Sequence, residues 1–526
     1  ASLYDGVEQL WQIDGGSGSE ANVENLRAET VAGFRGFEYA EAEVAATDDS
    51  TEMTLALDGV AANINSTINS LTALGQDLGT IEQVSALELT GNSLETVNVS
   101  GNFDVTEGAT GVAGLGITAG SDVETVTINS DVRLDVFFRD NNTSPNSSSV
   151  TTVNAAGAAA GITLGADLNA SGDGLEPDMG TGATTVSSVT TGDADDVVFL
   201  TTATSAEDDI DATVNTAGGD DLIGVSTSGD GAVSVSAGSG NDLISIAEDG
   251  TNDQLATDNT FDGGLGDDTF VIAAESGYSE NNYVLLRDTV SNVETLKIQG
   301  DGSTDKDSDA PVNTSGPLDV SKLDGEFDTI VFEAVQTAEV TNVGDETIVA
   351  EALSPNDGGD LSALAVTAEG YDDSGDETVY GGNVDVVANA SLAVVEVSAS
   401  SVNLTVNATE DDFADVFLTG DVQEAVVNVN NYVDSDDESA FQSADFGLAT
   451  GGDLNALTSL TLSGDGAAGG VFNGFGSALA TVDASGLNTV GSGGEAADGL
   501  EYRTTNVDVA ETISLGGGID DIIIGS

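Results

Sequence analysis

Short alternations of apolar and polar residues, separated by turn residues, run through most of the chain. Ala86-Leu87-Glu88-Leu89-Thr90-Gly91-Asn92 and Thr96-Val97-Asn98-Val99-Ser100-Gly101-Asn102 each show the period of two that a strand with one buried face requires. Each ends in Gly-Asn, a pair that turns the chain easily. The same phrasing returns at Val123 to Ile128, Leu296 to Gly300, Leu460 to Gly464 and Thr481 to Leu487. Irregular repetition of strand and turn predicts a mainly β chain, a β-solenoid or β-roll with β-sandwich-like units. One segment departs from the pattern. Ile64, Ile68, Leu71, Leu74 and Leu78 are spaced by threes and fours, the period of one helix face, and Asp58 nearby fits an N-cap. A small helical element near the N-terminus is therefore expected, and solenoid turns with leucines inward are the other arrangement this spacing allows.

Two polar stretches, Asp140 to Ser149 and Gly300 to Pro317, read as connectors, and the acidic run Asp434 to Glu438 as a solvated loop tip. The expected organisation is a mixed region with one helix at 1–83, β repeats at 84–140 and a β-roll-like region at 150–300. A β domain at 318–450 and a C-terminal β region at 451–526 complete it.

Composition narrows the chemistry. Of the 526 residues, 39% are hydrophobic but only 5% aromatic, so the core is expected to consist of thin layers of Ala, Val, Leu and Ile. Nine Lys plus Arg stand against 93 Asp plus Glu, a formal net charge of −84. That balance excludes nucleic acid and anionic membrane as direct electrostatic partners and makes cations the natural ones. Without Cys there are no disulfides and no thiol catalysis. Without His, the HExxH zinc site and the commonest general base are gone as well. What remains is oxygen chemistry, which suits calcium, a hard cation taking roughly six to eight oxygen ligands. No run of about 18 apolar residues is present to span a membrane as a helix. A start at Ala1, with neither Met nor a charged-then-apolar leader, is expected of a processed form, a fragment, or a product of a pathway that uses no N-terminal signal.

The most informative segment is Gly263-Gly264-Leu265-Gly266-Asp267-Asp268-Thr269-Phe270-Val271, which fits GGxGxDxUx, U being a large apolar residue, at every specified place. Glycines let the backbone turn sharply and aim carbonyl oxygens inward, the sixth-place Asp adds a charged ligand, and the eighth residue starts a buried strand. Partial copies surround it: Gly238, Gly240, Asn241 and Asp242; Gly218, Gly219, Asp220 and Asp221; and the more degenerate Asp193, Asp195 and Asp196. The key aspartates Asp196, Asp221, Asp242 and Asp268 are spaced by 25, 21 and 26 residues, as expected if each motif marks one turn of a stacked coil. A last copy near the end, Gly516, Gly517, Asp520 and Asp521, has Ile519 where the fourth glycine belongs.

At these residues the chain resembles the RTX family, the calcium-binding β-roll proteins exported by bacterial type I secretion. The likeness covers Thr190 to Ile272 and the final dozen residues. It implies that the region 150–300 binds calcium through glycine-turn carbonyls and aspartates, that the chain folds after export into calcium-rich surroundings, and that export needs no N-terminal signal. Family rolls use tandem repeats of nine residues. Here one motif occurs per 21 to 26 residues, so isolated or paired ions between neighbouring coils are expected instead of a continuous ladder. The phrases Leu457 to Asp465 and Ala480 to Leu487 resemble those beside such repeats in proteobacterial surface-layer proteins and large adhesins.

Together these features predict a structural subunit of a calcium-dependent extracellular lattice, a surface layer on a bacterial cell. Its partners would be itself and, as a second candidate, cell-surface polysaccharide. A calcium-dependent adhesin or biofilm matrix segment shares most of the same features. No catalytic residues are assigned, because nothing beyond the abundance of carboxylates supports an enzyme. Arg27, Arg35, Arg133 and Arg139 could meet an acidic face of another subunit or form scattered internal pairs.

Overall fold

The computed structural model describes residues 7–13, 20–38, 41–61, 71–73, 76–90, 93–103, 111–119, 123–139, 150–164, 186–202, 211–227, 231–246, 255–300, 315–351, 363–388, 394–408, 417–431, 454–464, 478–487, 498–504 and 510–524, apart from positions 48, 132, 276, 334, 336, 375–377, 455 and 518 within them. These residues are mainly strands, with one α-helix, Glu280–Thr289. They divide into two compact units: 1–248 with 252–270 and 288–293, and 249–251 with 271–287 and 294–526.

From Thr96 onward in the first unit, strands pair in parallel with the strand two places along the chain. Thr96–Phe103 pairs with Thr125–Ser130, and the column continues through Thr152–Asn154, Ser188–Thr190, Ala212–Asn215, Val233–Ser239 and Thr260–Leu265. The strands between them build a second parallel sheet: Leu134–Arg139, Ile162–Leu164, Val197–Thr202, Leu222–Thr227 and Leu243–Ser245. Each coil gives one strand to each sheet, which defines a solenoid.

The side-chain period of two decides what each column holds. Val97, Val126, Val153, Val189, Val214, Val235 and Phe261 share one register and are all buried, each Val adding roughly 1.5–3 kcal/mol over an exposed position. Flanking that apolar column, the same seven strands carry two outward polar columns. One runs from Thr96 through Thr125, Thr152, Ser188, Thr213 and Ser234 to Thr260, and the other from Asn98 through Thr127, Asn154, Thr190, Asn215 and Ser236 to Asp262. In the second sheet, Phe199 and Leu222, which alternate with the inward residues, are also buried.

The second unit repeats the pairing rule. Thr295–Gln299, Thr329–Glu333, Thr347–Glu351 and Asn383–Ala388 form one parallel run, and Leu318–Asp319, Thr337–Val343 and Ala363–Ala368 another. Val394–Ala408 joins them: its first half pairs with Ala363–Ala368 and its second with Asn383–Ala388, so the chain rounds the corner without leaving the strand. Phe417–Asn431, Ser459–Gly464, Thr481–Leu487 and Thr512–Ser514 stack on it in turn.

The helix expected near the N-terminus is corrected. Leu71 lies in strand Leu71–Ala73 and Leu78 in Gln76–Thr90, an antiparallel pair, while Ile64, Ile68 and Leu74 lie outside the described residues. Asp58, read as an N-cap, is mid-strand in Glu52–Ala61 opposite Asn102. The reason is that threes and fours of leucine also satisfy a tight hairpin, and two residues, one of them Gly75, separate the strands. The helix that does form begins at a capping arrangement in which Ser279 Oγ accepts the Asn282 N–H at 3.3 Å and Asn282 Oδ1 accepts the Ser279 N–H at 2.9 Å. Tyr283 and Leu286 on one face of it are buried. No described helix is long and apolar enough to cross a membrane. Asp140 to Ser149, residues 301–314 of the second connector and Asp434 to Glu438 lie outside the described residues.

Candidate metal-binding corner

Between the two sheets of the first unit the chain turns four times, and the six residues before each second-sheet strand align, Thr191 to Asp196, Thr216 to Asp221, Ala237 to Asp242 and Gly263 to Asp268, the first-sheet strand running on through the first three of them in the last two cases. That alignment puts like places on top of each other. The key aspartates therefore form one stack, Asp195, Asp220, Asn241 and Asp267 a second beside it, and Gly218, Ser239 and Leu265 follow Asp193 at the third place. The preceding corner ends in Gly161 in place of an acid, so the aspartate stack starts at Asp196.

The inner stack is tied together by main-chain donors. Asp196 Oδ1 accepts the Ile162 N–H at 2.6 Å, Asp221 Oδ1 the Asp196 N–H at 2.7 Å, Asp242 Oδ1 the Asp221 N–H at 2.8 Å and Asp268 Oδ1 the Asp242 N–H at 2.8 Å. Each key carboxylate thus reaches back to the coil before it. The outer stack reaches forward: Asp195 Oδ1 accepts the Asp220 N–H at 2.8 Å, Asp220 Oδ1 the Asn241 N–H at 2.8 Å and Asn241 Oδ1 the Asp267 N–H at 3.0 Å. An amide oxygen at Asn241 serves as well as a carboxylate because the role is acceptor only. These bonds occupy corner N–H groups that the sheet ladders leave over.

Glycine sets how closely the corners stack. Gly240 and Gly266 have φ of +137° and +150°, and a Cβ at Gly266 would collide with the Gly240 carbonyl oxygen. Asp193 is exposed and belongs to neither ladder.

The four inner aspartates are buried, with exposures of 2% for Asp196 and Asp221, 1% for Asp242 and 0% for Asp268. Beyond the backbone bond at Oδ1, the second oxygens Oδ2 of Asp196, Asp221 and Asp242 are buried with no hydrogen bond. Burial drives the Asp221 carboxyl up to about 8, with the Thr216 hydroxyl and the Asp196 N–H opposing and neighbouring Asp196 and Asp242 adding to the rise. It raises Asp196 and Asp242 to about 6. Asp196 is eased by Thr191, by the Ile162 N–H and by Arg133. Half-buried Arg133 lends its positive charge to Asp196 at the start of the stack. Arg27 lies 3.9 Å from Glu29 and Arg35 sits over the Trp11 ring, while Arg139 is not among the described side chains.

A buried, unpaired carboxylate oxygen demands a proton or a cation. The donors are all oxygen, the set a hard divalent ion takes, and the residues fit calcium to that extent. Among the described residues no three acidic side chains converge on one point, so an ion here would complete its shell with main-chain carbonyls or water. The motif reading located the aspartates and glycines but missed Thr191, Thr216, Arg133 and the Ile162 N–H. Only the two threonines had a local signal, since both open a corner.

The copy at the chain's end is placed differently. Gly516 and Gly517 follow strand Thr512–Ser514, but Asp520 and Asp521 fall inside strand Ile519–Ile524, which pairs with Asp498–Thr504 in a separate two-stranded sheet. They do not join the ladder.

No family model, curated protein or solved structure matches the chain.

Proposed function

We propose that this chain is a structural subunit of a calcium-dependent extracellular lattice, a bacterial surface layer, and acts by assembly with no catalytic step. The observation that carries the reading is the stack of buried aspartates, in which the second oxygens of Asp196, Asp221 and Asp242 lack hydrogen bonds on three successive coils. Asp196, Asp221, Asp242 and Asp268 would hold calcium together with glycine-corner carbonyls around Gly218, Gly219, Gly238, Gly240, Gly263, Gly264 and Gly266. The outer Asp195, Asp220, Asn241 and Asp267 hold neighbouring coils in register. Bound calcium supplies the positive charge that the buried carboxylates lack. A chain carrying −84 charges also needs divalent ions before copies can lie side by side. Secretion and a place on the cell surface follow from the same reading, because ions held at the roughly 0.1–1 mM dissociation constants of extracellular modules are bound only outside the cell.

The test is negative-stain electron microscopy of the purified chain at about 5 mM calcium, then with excess chelator. Ordered sheets that dissolve on chelation are expected. Compaction of a chain that stays monomeric would replace the lattice with the adhesin reading, and no response to calcium would end both.

A further inference from the structure

We propose that Arg133 is a built-in cation at the start of the aspartate stack, where it shares Asp196 with calcium and makes that end the weakest calcium site. This rests on the calcium reading above and adds the order in which the rungs fill.

The register places Arg133 in the column of the aspartates. Arg133 directly precedes strand Leu134–Arg139, Gly161 precedes Ile162–Leu164 and Asp196 precedes Val197–Thr202, just as Asp221 and Asp242 precede their strands. Leu134 and Ile162 are direct partners, and the Leu134 N–H donates to the Gly161 carbonyl at 3.0 Å. One rung further on, the Ile162 N–H donates to Asp196. Arg133 and Asp196 are therefore two rungs apart, about 10 Å between backbones, a gap that an extended arginine side chain can bridge. The rung between them carries no side chain. Gly161 could not be an acid, because a Cβ there would collide with the Asp195 carbonyl oxygen.

The charges at the rungs differ accordingly. Asp221 has Asp196 and Asp242 as charged neighbours, and Asp242 has Asp268, Asp220 and Asp195, all carboxylates. Asp196 is acted on by Arg133 as well as by Asp195. The attraction acts through space, since Arg133 Nε and Asp196 Oδ2 are both buried without a hydrogen-bond partner. That oxygen stays open to an ion, but an ion entering there meets a fixed positive charge, which lowers its affinity. At Asp221 and Asp242 the entering ion has carboxylate neighbours.

The test removes the charge and keeps an unbranched side chain. In calorimetric calcium titrations, Arg133→Met should tighten the weakest binding step at least about tenfold, and Arg133→Lys should leave it near wild type. Arg27→Met removes a charge that lies 3.9 Å from Glu29 and should leave that step unchanged. Adding Asp196→Asn to Arg133→Met should abolish the gain. A weakest step unchanged in Arg133→Met, tightened equally by Arg27→Met, or still tightened after Asp196→Asn overturns the proposal and leaves the calcium reading standing. Wild type and Arg133→Met that both bind no calcium remove both.

Should Arg133→Met fail to fold, Asp196→Asn decides alone, since it keeps an acceptor for the Ile162 N–H. It should lose the weakest step and leave the tighter ones within about twofold. Loss of a tighter step, or of none, would overturn the order of filling.

Discussion

Asp221 and Asp242 stand 21 residues apart in the chain and one rung apart in space, the Asp242 carboxylate accepting the Asp221 N–H at 2.8 Å. The same relationship joins Asp196 to Asp221 and Asp242 to Asp268. One oxygen of each carboxylate therefore does a structural task that charge does not affect. The other oxygen, unbonded in Asp221 and Asp242, is where a proton or a cation changes the energy of the stack.

Substitutions at Asp242 separate those two tasks. Asp242→Ala strands the buried Asp221 N–H and should cost about 1–3 kcal/mol with or without calcium. Asp242→Asn keeps an acceptor and removes the buried charge. In chelator its stability should equal or exceed wild type, while the gain on adding calcium shrinks. Denaturant melts of the three proteins, each in chelator and in calcium, check this, and an Asn variant that loses as much as Ala in chelator contradicts the division of labour.

The pH response has a definite sign. With Asp196 and Asp242 raised to about 6 and Asp221 to about 8 from 3.8, the folded chain binds more protons than the unfolded one between those values. Calcium-free stability must then fall as pH rises from about 4 to about 8. Ordinary carboxylates are ionised by about pH 6, so the fall between about 6.5 and 8.5 belongs to Asp221. Asp221→Asn should flatten that part of the profile. Calcium competes with the proton, so its apparent affinity should climb over the same range. Calcium-free stability rising across that range would refute the buried-acid account.

The corners were legible in the sequence because glycine and aspartate at fixed places have few other uses, and Asp196, Asp221, Asp242 and Asp268 do stack as their spacing implies. Strands were legible from alternation alone, as in Thr96-Val97-Asn98 and Thr125 to Ile128. The helix was misplaced because a leucine periodicity does not distinguish a helix face from a hairpin. The actual helix, in contrast, is short, and its signals are a cap at Ser279 and the buried apolar residues Tyr283, Leu285 and Leu286. Nothing local could reveal that Asp196 bonds Ile162, since those residues are 34 apart and meet only through stacking.

Close stacking of the corners can be tested at glycine. Gly266→Ala meets the Gly240 carbonyl oxygen and an unfavourable φ, and should destabilise by more than about 1 kcal/mol. Gly277→Ala has no atom within 4 Å of the new Cβ and should change stability by no more than about 0.5 kcal/mol. Equal effects in thermal melts would mean that the contact between corners does not limit their spacing.

The two ends of the motif set make opposite claims. By motif alone, Asp520 and Asp521 equal Asp220 and Asp221. By geometry they sit in a strand paired with Asp498–Thr504, with Asp521 opposite Glu501. If the ladder is where calcium stabilises the fold, Asp520→Asn with Asp521→Asn should leave the calcium-dependent rise in melting temperature within error of wild type. Asp221→Asn with Asp242→Asn should remove most of that rise. Calorimetric melts at matched calcium decide it: a loss at the terminal pair as large as at the ladder pair would show that spacing in sequence, and not stacking in space, marks the stabilising site.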